Sequence, residues 1–269
     1  MRIRLLAAQI GLAIIVLAGT AWAQLYAPPA EFKCMGKTSK AGSKFMASKA
    51  KCVTKCIQTI WKGIGDPSDC FAPYGGLTLA CIADSLKGVE AKFALAIRGA
   101  CDPTFKLGTA CPSCYSGGDC GPSGEALDRV ANFENQIDSF FPVLYCQVTP
   151  PPFHLQMDCQ VTATKGVVKY FAKINRCYDK CYGLVQKGII PAASCAPPAS
   201  DPIAMACLAD ARAATVKYID HDCHPPPAQP DGCGAPYPSA EDWADLTEVM
   251  TNGGATLAYC ASTSGAFLD

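Results

Sequence analysis

The residues best suited to chemistry in this chain are 18 cysteines, two short clusters built around some of them, and a set of regularly spaced lysines. His221-Asp222-Cys223-His224 pairs a possible general base with a carboxylate that could orient it. A hydrolase using His221 and Asp222 is therefore one reading. Against it, two histidines do not make a specific metal site. No Gly-x-Ser-x-Gly, His-Glu-x-x-His, Walker loop or dinucleotide fingerprint occurs in the sequence either. Cys111-Pro112-Ser113-Cys114 has the spacing of a redox pair, but no βαβ pattern surrounds it to place the first cysteine at a helix N-terminus and lower its pKa. Zinc at Cys111, Cys114 and Cys120 would need a fourth ligand and reduced thiols. No catalytic residue, metal or cofactor is assigned, and enzyme is the weaker class.

The lysines carry more information. Lys40, Lys44, Lys51, Lys55 and Lys62 fall at spacings of 4, 7, 4 and 7, which on a helix is one face. Lys165, Lys169, Lys173, Arg176, Lys180 and Lys187 form a second such ridge, and not one acidic residue lies between Phe32 and Lys62. With 23 basic and 23 acidic residues in all, the bulk charge favours no partner, but its distribution does. The ridges read as binding surfaces for an acidic polysaccharide or an envelope surface such as lipopolysaccharide; nucleic acid is disfavoured. The competing reading is a solvated face, or one neutralised by Glu125, Asp128, Glu134 and Asp138.

The two ridges belong to a larger repetition. Lys51-Cys52-Val53-Thr54-Lys55-Cys56 returns as Arg176-Cys177-Tyr178-Asp179-Lys180-Cys181, and at the same offset Cys34 aligns with Cys159 and Cys70 with Cys195. With small gaps the register continues through Cys81 and Cys207, Cys101 and Cys223, Cys111 and Cys233, and Cys146 and Cys260. The chain therefore reads as two copies of one unit, at 31–147 and 158–269, joined by a Pro-rich linker at 148–157.

Each copy reads as a long antiparallel helix hairpin plus a third helix. Met46, Ala50, Val53, Ile57 and Ile60 make the apolar stripe of a helix from about Thr38 to Lys62. Leu79, Ile82, Leu86, Val89, Phe93 and Ile97 make that of a second, and Leu127, Val130, Phe133, Ile137 and Phe140 that of a third, ended by Phe141-Pro142. In the second copy Val168, Phe171, Ile174, Tyr178, Tyr182 and Val185 mark the first helix, Ile203 starts the next, and Ser239 caps the last. Hairpin geometry suggests nested bridges: Cys34–Cys101, Cys52–Cys81 and Cys56–Cys70, then Cys159–Cys223, Cys177–Cys207 and Cys181–Cys195. The swap Cys52–Cys70 with Cys56–Cys81 stays open. Cys111–Cys146 and Cys233–Cys260 would bind the third helices, and Cys114–Cys120 would close a local loop.

Arg2 and Arg4, the apolar run from Leu5 and Ala21-Trp22-Ala23 read as a signal peptide over 1–23, with no membrane span after it. An even cysteine count in an exported chain reads as a disulfide framework, so the expected location is periplasmic or extracellular. The pattern Lys-Cys-x-x-Lys-Cys followed by Lys-Gly, with Cys-Ile-Ala-Asp at Cys81–Asp84 and Cys-Leu-Ala-Asp at Cys207–Asp210, resembles secreted cysteine-rich helical-repeat proteins of environmental bacteria. The resemblance implies an exported, helical, disulfide-linked array and no activity. His221-Asp222-Cys223 also resembles secreted phospholipase A2 over those residues alone; that family has a residue between Asp and Cys and a second Cys before the His, both missing here. The expectation is an exported all-α protein of two tandem units that binds an anionic polymer or surface. A carrier with an apolar cavity lined by Trp61, Phe93, Phe133, Phe140 and Phe141 is the next reading, and the hydrolase the last.

Overall fold

The computed structural model describes residues 27–105, 111, 112, 115, 120, 125–145 and 154–223, with 240–242, 244, 245, 247, 248, 258 and 259; its regular elements are all helical. The signal-peptide stretch lies outside these residues. Helix α1, Pro29–Ile60, starts earlier than its stripe requires, with Pro29 in the first turn, where a proline forfeits no helical hydrogen bond. Met46, Ala50, Val53, Ile57 and Ile60 are buried as the spacing predicts. Past its end Gly63 and Gly65 take φ of 76° and 95°, conformations open to glycine, and turn the chain back into a 3-10 turn at Pro67–Cys70.

The second stripe is not one helix but two, α2 at Gly76–Ala83 and α3 at Val89–Cys101. The corner forms because the Asp84 carboxylate accepts hydrogen bonds from the backbone N–H of Leu86 (2.9 Å) and Lys87 (2.6 Å), an alternative to the helical ladder. Gly88 completes it: a Cβ there would stand 2.5–2.6 Å from backbone atoms of Asp84 and Ile82. The corner corrects the stripe, since Ile82, Val89, Phe93 and Ile97 are buried while Leu79 and Leu86 are 45% and 85% exposed. Three bridges join α1 to these later elements: Cys34–Cys101, Cys52–Cys81 and Cys56–Cys70. This is the nested order and not the swap.

Helix α4, Glu125–Asp138, and the short α5, Phe141–Leu144, lie against this pair. Val130, Phe133, Ile137, Phe140, Phe141 and Leu144 are buried, and Pro142 falls in the first turn of α5. Phe93 stacks on Phe45 at 4.8 Å and meets the edge of Phe133 at 5.2 Å, so these rings fill the core by packing on one another. In the loop before α4, Cys111 is joined to Cys120. That corrects two expected pairings, Cys111–Cys146 and Cys114–Cys120: a loop of nine residues closes on itself more readily than it reaches a distant helix. Cys114, Cys146, Cys233 and Cys260 lie outside the described residues.

Helix α6, His154–Gln186, begins within the stretch expected as linker, and after a 3-10 turn at Ala192–Cys195 comes α7, Pro202–Cys223. Cys159–Cys223, Cys177–Cys207 and Cys181–Cys195 staple them. Asp201 caps α7 by accepting the Ala204 N–H at 2.9 Å. Helix α7 buries mostly small groups (Ala204, Ala211, Thr215, Ile219), and it approaches α6 so closely that a Cβ on Gly166 would meet Ile219 at 2.6 Å. Arg212 holds the following helical stretch through Glu241, Asp245 and Glu248 at 2.6–2.9 Å.

Helices α1 and α6 pack directly against each other. Asn175 donates to Ser43 at 3.0 Å, Asp179 is hydrogen-bonded to Ser39, and Thr54 and Thr164 share the hydroxyl of Tyr145. Residues 39, 43 and 54 thus stand level with 179, 175 and 164: each step forward on α1 is a step back on α6, and the helices are antiparallel. One continuous core spans all the helices.

Candidate functional site

The register of α1 against α6 decides where the ridges go. Lys40, Lys44, Lys51, Lys55 and Lys62 are all exposed, as are Lys165, Lys169, Arg176, Lys180 and Lys187; Lys173 is half-buried. A groove of about 420 Å³ opens along one end of the α1–α6 contact, lined by Lys51 and Lys55 from α1 and by Lys165 and Lys169 from α6. Its floor is apolar, with Ala47, Ala50, Val161 and Val168, and Thr54 and Thr164 beside them. Among the described residues no carboxylate lines it. Two unit charges about 6 Å apart, the rise between lysines four residues apart on a helix, repel by about 0.7 kcal/mol at the dielectric of water. A negative charge placed between them would relieve that repulsion.

Two side chains order the groove. Lys169 Nζ stands 3.8 Å from the ring centre of Tyr218, a cation–π contact that fixes one ammonium on its wall. Tyr145, buried, reaches Thr54 at 2.7 Å and ties the two helices together beneath the groove. At the other end of the same contact the groups between the helices are polar. Tyr259 hydrogen-bonds both Asp179 and Ser39, and Lys40 and Arg176 both act electrostatically on the Asp179 carboxyl. Burial pushes that carboxyl above its usual range, against the hydrogen bonds and the two cations.

The expected neutralisation of the ridge by Glu134 and Asp138 is not what the structure shows. Both carboxylates bind Lys49, which lies off the ridge and is fully buried. Lys49 Nζ also stands 5.6 Å and 4.9 Å from the ring centres of Phe45 and Tyr74, and Tyr74 donates to Asp138 at 2.6 Å. Glu90 joins the cluster by a hydrogen bond with Glu134. Burial foremost, then that bond and the charge of Glu134, push its carboxyl up to about 7. Asp138 is likewise raised by burial, opposed by its bonds from Lys49 and Tyr74. The side chains of Glu125 and Asp128 lie outside the described part of the chain. Lys49 was readable in principle: four residues after Phe45 and three before Cys52, it sits on the buried face of α1.

Among the described residues the histidine and cysteine clusters form no comparable site. His221 is exposed in the last turn of α7, while the Asp222 side chain and His224 lie outside the described residues. The sulfurs of Cys34, Cys101 and Cys120 lie within 4.8 Å of one another, yet each is in a bridge and offers no thiolate to a metal. No described helix is long and apolar enough to cross a membrane. No protein-family model, curated protein or solved structure matches this chain.

Proposed function

We propose that this is an exported binding protein, made of two tandem copies of a disulfide-stapled helix-hairpin unit, which engages an anionic polymer or surface through its lysine ridges. The observation that carries the reading is the groove in which Lys51, Lys55, Lys165 and Lys169 stand over an apolar floor, with no carboxylate in its lining among the described residues. The seven bridges among the described cysteines fit an oxidising compartment, where disulfides form and persist. Duplication is supported by features the cysteine alignment did not use. Ile64, Leu77 and Leu79 are exposed in the first copy, and so are their aligned counterparts Ile189, Ile203 and Met205. Tyr145 and Tyr259, each just before an aligned cysteine, both hydrogen-bond one residue of α1 and one of α6.

The test is retention on immobilised heparin at low salt, released as salt screens the charges. Wild-type protein is retained and K51Q/K55Q/K165Q/K169Q elutes earlier with an unchanged melting curve. Passage through the column at low salt would discard the reading.

A further inference from the structure

The two ridges are not two sites. Because α1 and α6 run antiparallel with residues 39, 43 and 54 level with 179, 175 and 164, Lys165 stands level with Val53 and Lys169 with Lys49. Lys169, Lys51, Lys165 and Lys55 therefore alternate across the groove at steps of about 3 Å along its length. The same register sets Lys180 level with Thr38 and Arg176 level with Gly42, so Lys180, Lys40, Arg176 and Lys44 alternate in the same way farther along. Both quartets are solvent-exposed. They open on the same side of the helix pair, because the lysines of α1 share one helical face, those of α6 share another, and each end of the contact draws on both. From the level of Thr38 to Lys55 this is about 25 Å of cationic seam. Among the described residues hydrogen-bonded between the two helices, Asp179 in the second quartet is the one carboxylate that offsets it.

Resting on the function proposed above, we propose that the partner is a single acidic polysaccharide chain lying lengthwise in the α1–α6 seam and spanning both quartets. A small anion would occupy one quartet and leave the other unrelieved; a linear polyanion satisfies both in one binding event. The seam is the surface groove between two packed helices, whose axes in such packing lie about 8–10 Å apart, a width that suits one chain better than a duplex. Among the described residues no aromatic lines the groove at the Lys51–Lys55 end, and at the other end Tyr259 is buried and stacked on Tyr182. Neither end therefore offers an exposed stacking platform of the kind by which proteins hold single-stranded nucleic acid. The apolar floor and cationic walls suit the apolar faces and acidic edges of a sugar chain. Since the two quartets are arranged alike about the midpoint of the seam, a chain fits in either direction.

Binding of size-fractionated oligouronates and heparin fragments to the oxidised full chain tests this. Affinity is expected to climb at least tenfold as fragment length approaches about 25 Å and then to level off, and to fall at least tenfold between about 50 and 200 mM salt. K51Q/K55Q and K40Q/K44Q should each weaken the long fragments several-fold, while the shortest fragments respond to K51Q/K55Q alone. If short fragments already bind with full affinity and K40Q/K44Q changes nothing, the seam inference falls and the anion-binding reading stands. If no fragment binds at low salt, both fall. Equal affinity for an oligothymidylate of the same length would overturn the choice of polysaccharide. These positions are exposed, and an unchanged melting curve verifies that the variants fold.

Discussion

Lys49 shows how much one side chain can hold. It is fully buried, and its charge is compensated by Glu134 and Asp138 from α4. Removing it strands two carboxylates in a poorly hydrated place, so Lys49→Met is expected to lose about 3–5 kcal/mol of stability in denaturant titration. Glu90 adds a pH dependence. Its folded-state pKa is raised from the ordinary 4.5 to about 7, so its contribution is full below about pH 4.5 and lost as pH rises through about 7. The melting temperature is therefore expected to fall between pH 5 and pH 8. Glu90→Gln keeps a donor for Glu134 without a titrating proton, and should flatten that slope; an undiminished slope would assign the proton elsewhere. Spacing places Lys49 on the buried face of α1 but not its partners, because the carboxylates that meet it arrive from another helix.

At the scale of elements, bridges and caps matter more than apolar area for α7. Helix α7 buries chiefly alanines and threonine beside Ile219, whereas α3 buries Val89, Phe93 and Ile97. Cys52–Cys81 and Cys177–Cys207 close chain separations of 29 and 30 residues, so the chain-entropy part of each is alike, about 2–4 kcal/mol. Cys177→Ala with Cys207→Ala should nonetheless loosen α7 more than the corresponding pair loosens α2 and α3, read as faster amide hydrogen exchange. At the α2–α3 corner, Gly88→Ala drives a methyl group into the backbone of Asp84 and Ile82 and is expected to lower stability by about 2–3 kcal/mol. An unaffected melting temperature would mean the corner relaxes freely.

At the scale of the molecule, the contact between α1 and α6 makes one core out of two halves. Heating the oxidised protein should give a single cooperative transition, with calorimetric and van't Hoff enthalpies in agreement. Two resolved transitions would mean that the halves unfold independently. Tyr145 anchors one end of the contact and Tyr259 the other. Tyr145→Phe and Tyr259→Phe should each lose about 1 kcal/mol, the usual net value of one buried hydrogen bond, read as a lower denaturant midpoint with the slope of the transition unchanged.

What the chain's letters determined is whatever local periodicity and cysteine order can encode. The helical stripes, the lysine ridges and the nesting of the bridges depend on residues a few turns apart or on the ends of a tight connection, and these were legible. The choice between Cys52–Cys81 with Cys56–Cys70 and its swap came from the structure. The break at Asp84 was harder, because a side chain accepting its own backbone N–H groups competes with a helix by a small margin. Only the tertiary structure decided that Cys111 closes its own loop, that Lys49 meets α4, and that α1 and α6 lie antiparallel in a register that interleaves their cations. Those outcomes rest on contacts between residues far apart in the chain, whose free energy comes from surfaces that exist only once the helices have docked.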